Sequence, residues 1–326
     1  MSQLLEVDSA EVLILVDNVT DNLSSAPRFV ETELSAMIRR GINVLSGDCL
    51  CCAAHGLSCL VTVKRGGETH TLLFDTGPEE EVFARNVQRL GADLGPVEAI
   101  VLSHGHWDHG GGMLRALDLI RGRNGGREIP YYAHPGMFHQ RAAKLPNGGY
   151  RIMENVPSIE ALTLHGARVV ATDEPATPVD GHFYVSGEIP RVTPFERGLP
   201  GQVKRTADGQ GWEPDELLMD ERFLAINVKG KGLVVFSACS HAGIVNVMTQ
   251  ARRAFPDVPL HACMGGLHLS GANEEIIPQT IAALGGFGLT TIAAGHCTGW
   301  RAMGAMLNAF GDKTLVPLAV GKRFSF

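Results

Sequence analysis

Long apolar runs are missing from this chain. No stretch in its 326 residues approaches the roughly 20 consecutive apolar residues that a helix needs to span a bilayer. That argues against a membrane partner. The opening "MSQLLEVDSAEVLILVDN" carries acids where a secretory leader would carry a basic segment. The expectation is a soluble, cytoplasmic protein. Cations are also scarce, with 28 Lys and Arg against 35 Asp and Glu and a formal charge of -7. They form no basic stripe, so electrostatics suggest no nucleic-acid partner. Seven cysteines, an odd number in a long chain, fit reduced thiols better than a disulfide framework. "CLCC", with Cys49, Cys51 and Cys52 and then Cys59 nearby, lacks the paired C-x-x-C spacing of zinc ribbons and reads as ordinary thiols. No solenoid-length repeat is present.

What the chain has is a regular alternation of strands and helices. The 44% hydrophobic content is enough for one large core. Runs rich in Val, Ile and Leu read as strands at residues 12–17, 59–63, 71–77, 99–104, 223–228, 233–241 and 291–296. Between them "EEEVFARNVQRL", "GIVNVMTQARRAF", "EIIPQTIAAL" and "RAMGAMLNAF" read as helices. The order predicts an α/β chain, sheets covered by helices, in a single domain over residues 1–326. Residues from about 172 to 220 break the pattern. They are rich in Pro, Gly, Asp and Glu, and predict a long excursion of the kind that is usually functional or disordered.

Histidines fall where strands end. "VLSHGH", "FSACSH" and "IAAGH" place His104, His241 and His296 directly after apolar runs, and ends of strands gather at one rim. The densest stretch is "SHGHWDHGGG", residues 103–112, in which His104, His106, Asp108 and His109 crowd a single turn. Three imidazoles and a carboxylate there gain little without an ion, so the turn predicts a metal site, with its glycines letting backbone pass close to the ions. Imidazole and carboxylate do not select sharply among metals. Zn, as one or two ions, is the first expectation, and Mn or Fe are the alternates. By contrast His139, His165 and His261 stand alone and read as ordinary structural histidines.

"SHGHWDHGGG" resembles the H-x-H-x-D-H motif of the metallo-β-lactamase superfamily, with "FDTG" at its usual place upstream. More narrowly, "VDN", "HGLSCL", "LLFDTG", "GEIPR", "SACSHAGIVN", "GGLHL" and "AGHCTG" resemble the branch related to 7,8-dihydropterin-6-methyl-4-(β-D-ribofuranosyl)aminobenzene-5'-phosphate synthase. These motifs run from residue 16 to 299. The resemblance implies a four-layer αββα sandwich with a metal site at one edge between two sheets. It implies His104, His106 and a third ligand on one ion, and Asp108, His109 and His296 on a second. Hydrolases of the superfamily commonly offer a His before the strand read as "FLAINV" and a bridging Asp after "LVVFSA". Here Asp220 and Glu221 stand near the first position, and Cys239 and His241 at the second. His241 is the expected ligand, with Glu221 and Cys239 in reserve. Asp75 of "FDTG" is expected to orient a ligating His, as such carboxylates often do. The branch tends to carry an acid before "HGLS", where this chain has Ala54.

Three functions follow. In a hydrolase, two cations would lower the pKa of a shared water, with Asp108 orienting the nucleophile and His268 protonating the leaving group or contacting substrate. In the alternative that the resemblance implies, the metals serve as Lewis acids on a pterin-like or ribosyl-phosphate substrate during a condensation. The third is a metal-containing binding protein without turnover. Arg191 in "SGEIPRVTPFE", a planar fork between two prolines, is the expected partner for a phosphate or carboxylate of a small-molecule substrate. It could instead pair with Glu188 or Glu196 in a solvated loop.

Overall fold

A computed structural model describes residues 4–326. Two sheets lie face to face. The first has eight strands in the order Ala167–Ala171, Ile129–Ala133, Val97–Val101, Glu68–Phe74, Ser58–Arg65, Ser9–Val16, Arg323–Ser325 and Val30–Glu31. In the second, Glu6–Val7 and Tyr184–Val185 both pair with Leu224–Val228, followed by Gly232–Ser237, Leu260–Gly266 and Thr291–Gly295.

Period-two alternation explains the layering. In the strand Ser9–Val16, Val12 and Ile14 point into the space between the sheets, meeting Phe74, Val101, Ile226, Phe236 and Met264. Their neighbours Leu13 and Leu15 point the other way, under Phe83, Val87, Leu117 and Ile120 of the helices Glu80–Leu90 and Met113–Arg121. The second sheet repeats the scheme. Leu233, Val235 and Ile292 face Ile244, Met248, Leu284 and Met306 of the helices Ile244–Ala254, Ile277–Gly285 and Trp300–Phe310. Strands buried on both faces read as continuous apolar runs, which is how they look in the sequence. The result is the expected αββα sandwich.

Parallel pairing sets the rim. Glu68–Phe74 runs parallel to Val97–Val101, and Gly232–Ser237, Leu260–Gly266 and Thr291–Gly295 are parallel to one another. Phe74 is level with Val101, Ser237 with Gly265, and Gly266 with Gly295. The residues that leave these strands therefore emerge together: Asp75, Ser103 and His104 from one sheet, Cys239, His268 and His296 from the other.

The excursion departs from its irregular reading. Gln202–Arg205 and Trp212–Pro214 join Arg141–Lys144 and Tyr150–Ile152 in a third, four-stranded sheet. This places Gln202 against the rim. Among the described residues no helix is long and apolar enough to cross a membrane.

Candidate metal centre

The turn after Val101 is fixed before its imidazoles are aimed. Asp220 accepts a hydrogen bond from the Gly105 amide at 2.9 Å, while Arg141 donates to the Gly105 carbonyl at 3.1 Å and pairs with Asp220 at 2.9 Å. A Cβ at Gly105 would lie 2.3 Å from the Met137 carbonyl, and one at Gly111 would lie 1.8 Å from that of Pro78. Neighbouring backbone therefore requires glycine at both positions.

Each imidazole of the motif has one nitrogen tied to a neighbour outside the donor cluster and the other turned into it. His104 donates from Nδ1 to Ser103 Oγ at 2.9 Å, His106 from Nε2 to Gln202 Oε1 at 2.7 Å, and His109 from Nδ1 to Asp75 Oδ2 at 2.7 Å. His296 donates from Nδ1 to Asn18 Oδ1 at 3.0 Å. Such bonds fix tautomer and ring orientation. The nitrogens left over converge: His104 Nε2 and His106 Nδ1 are 3.0 Å apart, and Cys239 Sγ lies 3.2 Å from both His109 Nε2 and His296 Nε2. Asp108 Oδ2 is 3.7 Å from His109 Nε2 and 3.5 Å from His296 Nε2.

His241 is the informative member. It is buried, its ring centroid stands 4.8 Å from that of His104 and 4.9 Å from that of His106, and neither ring nitrogen has a hydrogen-bond partner. A buried polar atom left unpaired costs about 1–3 kcal/mol. A cation shared with His104 and His106 would satisfy it, and the donor atoms of these three side chains lie within 4.8 Å of one another. The same holds for His104, His109 and Cys239, for His55, Asp108 and His296, and for Cys239, His268 and Cys297. This donor set is able to chelate a divalent metal ion.

Burial, reinforced by neighbouring imidazoles, pushes His104, His241 and His296 well below the ordinary imidazole range, and burial brings His106 down to about 4. They are neutral bases with lone pairs free. For His109 burial acts downward too, but the Asp108 and Asp75 carboxylates outweigh it and hold the ring up to about 9. That same negative charge favours a cation at Nε2.

Four residues of the rim occupy the left-handed backbone region: Asp75 at φ 57°, Ser240 at 59°, His268 at 43° and His296 at 47°. Each non-glycine there costs on the order of 1–3 kcal/mol, and such strain gathers at functional sites. It is held by local bonds. The Asp75 carboxylate accepts from the Ser103 amide at 2.8 Å and hydroxyl at 2.7 Å, Ser240 Oγ donates to the Gly266 carbonyl at 2.7 Å, and the His296 amide donates to Asp17 at 2.8 Å.

The remaining expected residues fall in other places. Glu221 accepts from the amides of His241 at 2.9 Å and Ala242 at 2.5 Å. It positions the His241 turn instead of adding a donor. Burial, opposed by those amides, raises its carboxyl to about 7. Arg191 donates to the carbonyls of Ile189, Leu217 and Leu218. Its fork is committed to backbone, so the segment neither offers it to an anion nor pairs it with Glu188 or Glu196. Glu196 caps the helix Ile244–Ala254, accepting from the amides of Val245 at 2.8 Å and Asn246 at 2.9 Å. The cation beside the centre is Arg197, which is exposed, lines a narrow cleft with His241, His268 and Asn273, and has no hydrogen bond or ion pair among the described residues.

Five contributors escaped the sequence reading: Asn18, His55, Gln202, Arg197 and Cys297. His55 is half-exposed, with Nε2 3.3 Å from Asp108 Oδ2 and Nδ1 3.1 Å from Asn18 Nδ2. Asn18 and Cys297 lie inside the quoted "VDN" and "AGHCTG", so the signal was present but attached to no role. Nothing local marks Gln202 or Arg197. The thiols of Cys49, Cys51, Cys52 and Cys59 stand outside all these donor groups.

Residues 56–193 match the model of the Metallo-beta-lactamase superfamily. The chain is 33% identical over 262 residues to 7,8-dihydropterin-6-methyl-4-(beta-D-ribofuranosyl)-aminobenzene-5'-phosphate synthase of Methanocaldococcus jannaschii, covering 79% of this chain and 85% of that protein. An uncharacterized protein of the same organism is 27% identical, covering 77% of this chain and 86% of that one. Among solved structures, Tm1679, described as a metal-dependent hydrolase of the beta-lactamase superfamily, superposes with a TM-score of 0.70 at 22% identity, over 97% of this chain and 98% of that one.

Proposed function

The chain belongs to the metallo-beta-lactamase superfamily, and from that premise we propose a metal-dependent synthase that condenses a pterin-like donor with a phosphorylated ribosyl substrate. The observation that carries this reading is the 33% identity, over 85% of its length, to a relative whose name gives the product. That name describes a 7,8-dihydropterin-6-methyl group joined to an aminobenzene bearing a ribosyl 5'-phosphate.

His104, His106 and His241 would hold one ion, and Asp108, His109, Cys239 and His296 a second. Zn is the first expectation from this donor set, with Mn or Fe as alternates. Divalent ions in these places supply Lewis acidity toward the reacting group. The chain's own residues do the rest. Arg197, at the mouth beside His241 and His268, binds the phosphate. His268 lines the same cleft. As the aniline nitrogen bonds the donor's 6-methyl carbon, the bond from that carbon to an oxyanion leaving group such as a phosphate ester breaks, and Asp108 takes the proton the amine loses, with solvent-open His55 donating to Asp108 from Nε2, 3.3 Å away. The buried pair Asp75 and Ser103 keeps His109 and His104 aimed while this happens.

A hydrolase of anionic small molecules is the second reading, favoured by the H-x-H-x-D-H geometry that such enzymes share. One assay separates the two. Metal-replete protein is offered a dihydropterin-6-methyl donor with 4-(β-D-ribofuranosyl)aminobenzene 5'-phosphate, and in parallel a panel of phosphoesters, lactones and thioesters. The proposal expects coupled product that disappears on chelation. Metal-dependent turnover of the panel with no coupled product would replace it with the hydrolase, and metal retention without turnover in either arm with a binding protein.

A further inference from the structure

Sulfur at the rim is more abundant than a nitrogen and oxygen centre requires. Cys239 Sγ stands 3.4 Å from Cys297 Sγ, and both thiols are buried, 2% and 7% exposed. The donor atoms of Cys239, His268 and Cys297 lie within 4.8 Å of one another. His268 enters this group from a left-handed backbone with φ 43°, and its Nδ1 has no hydrogen-bond partner. On a tetrahedral ion with metal–sulfur bonds of about 2.3 Å, two thiolates lie about 3.8 Å apart, and a thiolate and an imidazole nitrogen about 3.5 Å. The 3.4 Å between Cys239 and Cys297, and the 3.2 Å from Cys239 to His109 and His296, are within a few tenths of these spacings.

The three residues also arrive from three different strands. Cys239 follows Gly232–Ser237, His268 follows Leu260–Gly266, and Cys297 follows Thr291–Gly295. A hydrophobic core would close this end of the sandwich with aliphatic side chains. It closes with two thiols and an imidazole instead.

We propose that Cys239, Cys297 and His268 form a sulfur-rich lobe of the centre that holds a thiophilic divalent ion, with Cys239 shared between this lobe and the set made by His109 and His296. Soft thiolates select Zn, Cd or Co over Mn and Mg, so the lobe would set the metal preference of the centre. The inference rests on the reading that this rim binds metal at all.

The test uses the full chain, stripped of metal and reloaded with Co(II) under reducing, anaerobic conditions. The wild type is expected to show a thiolate-to-cobalt charge-transfer band in the near ultraviolet. Cys297→Ser should lose part of that band and one equivalent of cobalt while keeping the visible band of the imidazole-bound ion. Cys49→Ser, altering a thiol outside the centre, should match the wild type. X-ray absorption at the Zn edge of unmodified protein needs no variant and should show sulfur scatterers. Bound metal with only nitrogen and oxygen neighbours, a Cys297→Ser spectrum equal to wild type, or a Cys239–Cys297 disulfide in the metal-loaded protein would each overturn the lobe while leaving the metal-dependent reading intact. Protein that takes up no metal would overturn both.

Discussion

The two rims that meet at the centre are built on different terms. The first sheet delivers its donors from one contiguous turn, and every imidazole there is already tied at its far nitrogen, His104 to Ser103, His106 to Gln202 and His109 to Asp75. The second sheet delivers its donors from the ends of three strands, Cys239 and His241 from one, His268 from the next, and His296 and Cys297 from the third. There His241 has no hydrogen bond at either ring nitrogen, and His268 and His296 sit on strained backbone. The first rim is thus aimed by its own bonds; on the second His296 is tied as well, to Asn18, and His241 is the imidazole that no hydrogen bond aims among the described residues.

The largest expected effect comes from a residue that belongs to the organised rim but acts on chemistry. Asp108→Asn should preserve the fold and the ion held by His104, His106 and His241, while lowering turnover by about 10²–10⁴-fold if Asp108 handles the proton. Metal content measured on the same sample separates this from loss of the second ion. Turnover equal to wild type would remove Asp108 from the mechanism.

Next in size is the support beneath the first rim. Asp75→Asn breaks the carboxylate bonds to His109 and Ser103 and should weaken metal affinity by about 10–100-fold, read by competition with a chelating dye. The equivalent change under the second rim, Glu221→Gln, disturbs only the amides of His241 and Ala242 and should cost less. An inverted order would refute the asymmetry.

Chelation should act on the second rim first. An ion present at 100 times its dissociation constant stabilises the fold by about 2.7 kcal/mol, so removing it should lower the melting temperature by several degrees. Amide exchange should then rise at residues 239–241, 268 and 296–297 and change little at 103–106, whose turn is held by Asp220 and Arg141. Uniform protection would mean that both rims are preorganised.

The smallest effect separates two arginines. Arg197→Ala should raise KM for phosphorylated substrates by about 10-fold, the loss of one charge-assisted contact, with little change for neutral ones. Arg191→Ala releases three backbone carbonyls and should affect both substrate classes alike.

The same contrast governs what was legible beforehand. The strands announced themselves because burial on both faces makes them continuous apolar runs, and "SHGHWDHGGG" was readable because its donors are neighbours in sequence. His241 and His296 drew attention through their position after strands, and the structure places them beside His104 and His109. Gln202 was not, because its role depends on a small sheet hidden in a stretch whose composition reads as loop. Arg191 drew attention because two prolines flank it, yet the helix start that Glu196 caps pulls the segment down and spends that arginine on carbonyls. Arg197, six residues later, is left facing the cleft. Side-chain chemistry was visible in sequence; which side chain is already committed was not.

The most direct test of two rims converging on one metal centre is anomalous scattering across the Zn absorption edge, from crystals of protein loaded with Zn. The account predicts one peak within bonding distance of His104, His106 and His241, and a second beside Asp108, His109, Cys239 and His296. Absence of any peak at this rim under saturating Zn, with those side chains in the arrangement described, would contradict it.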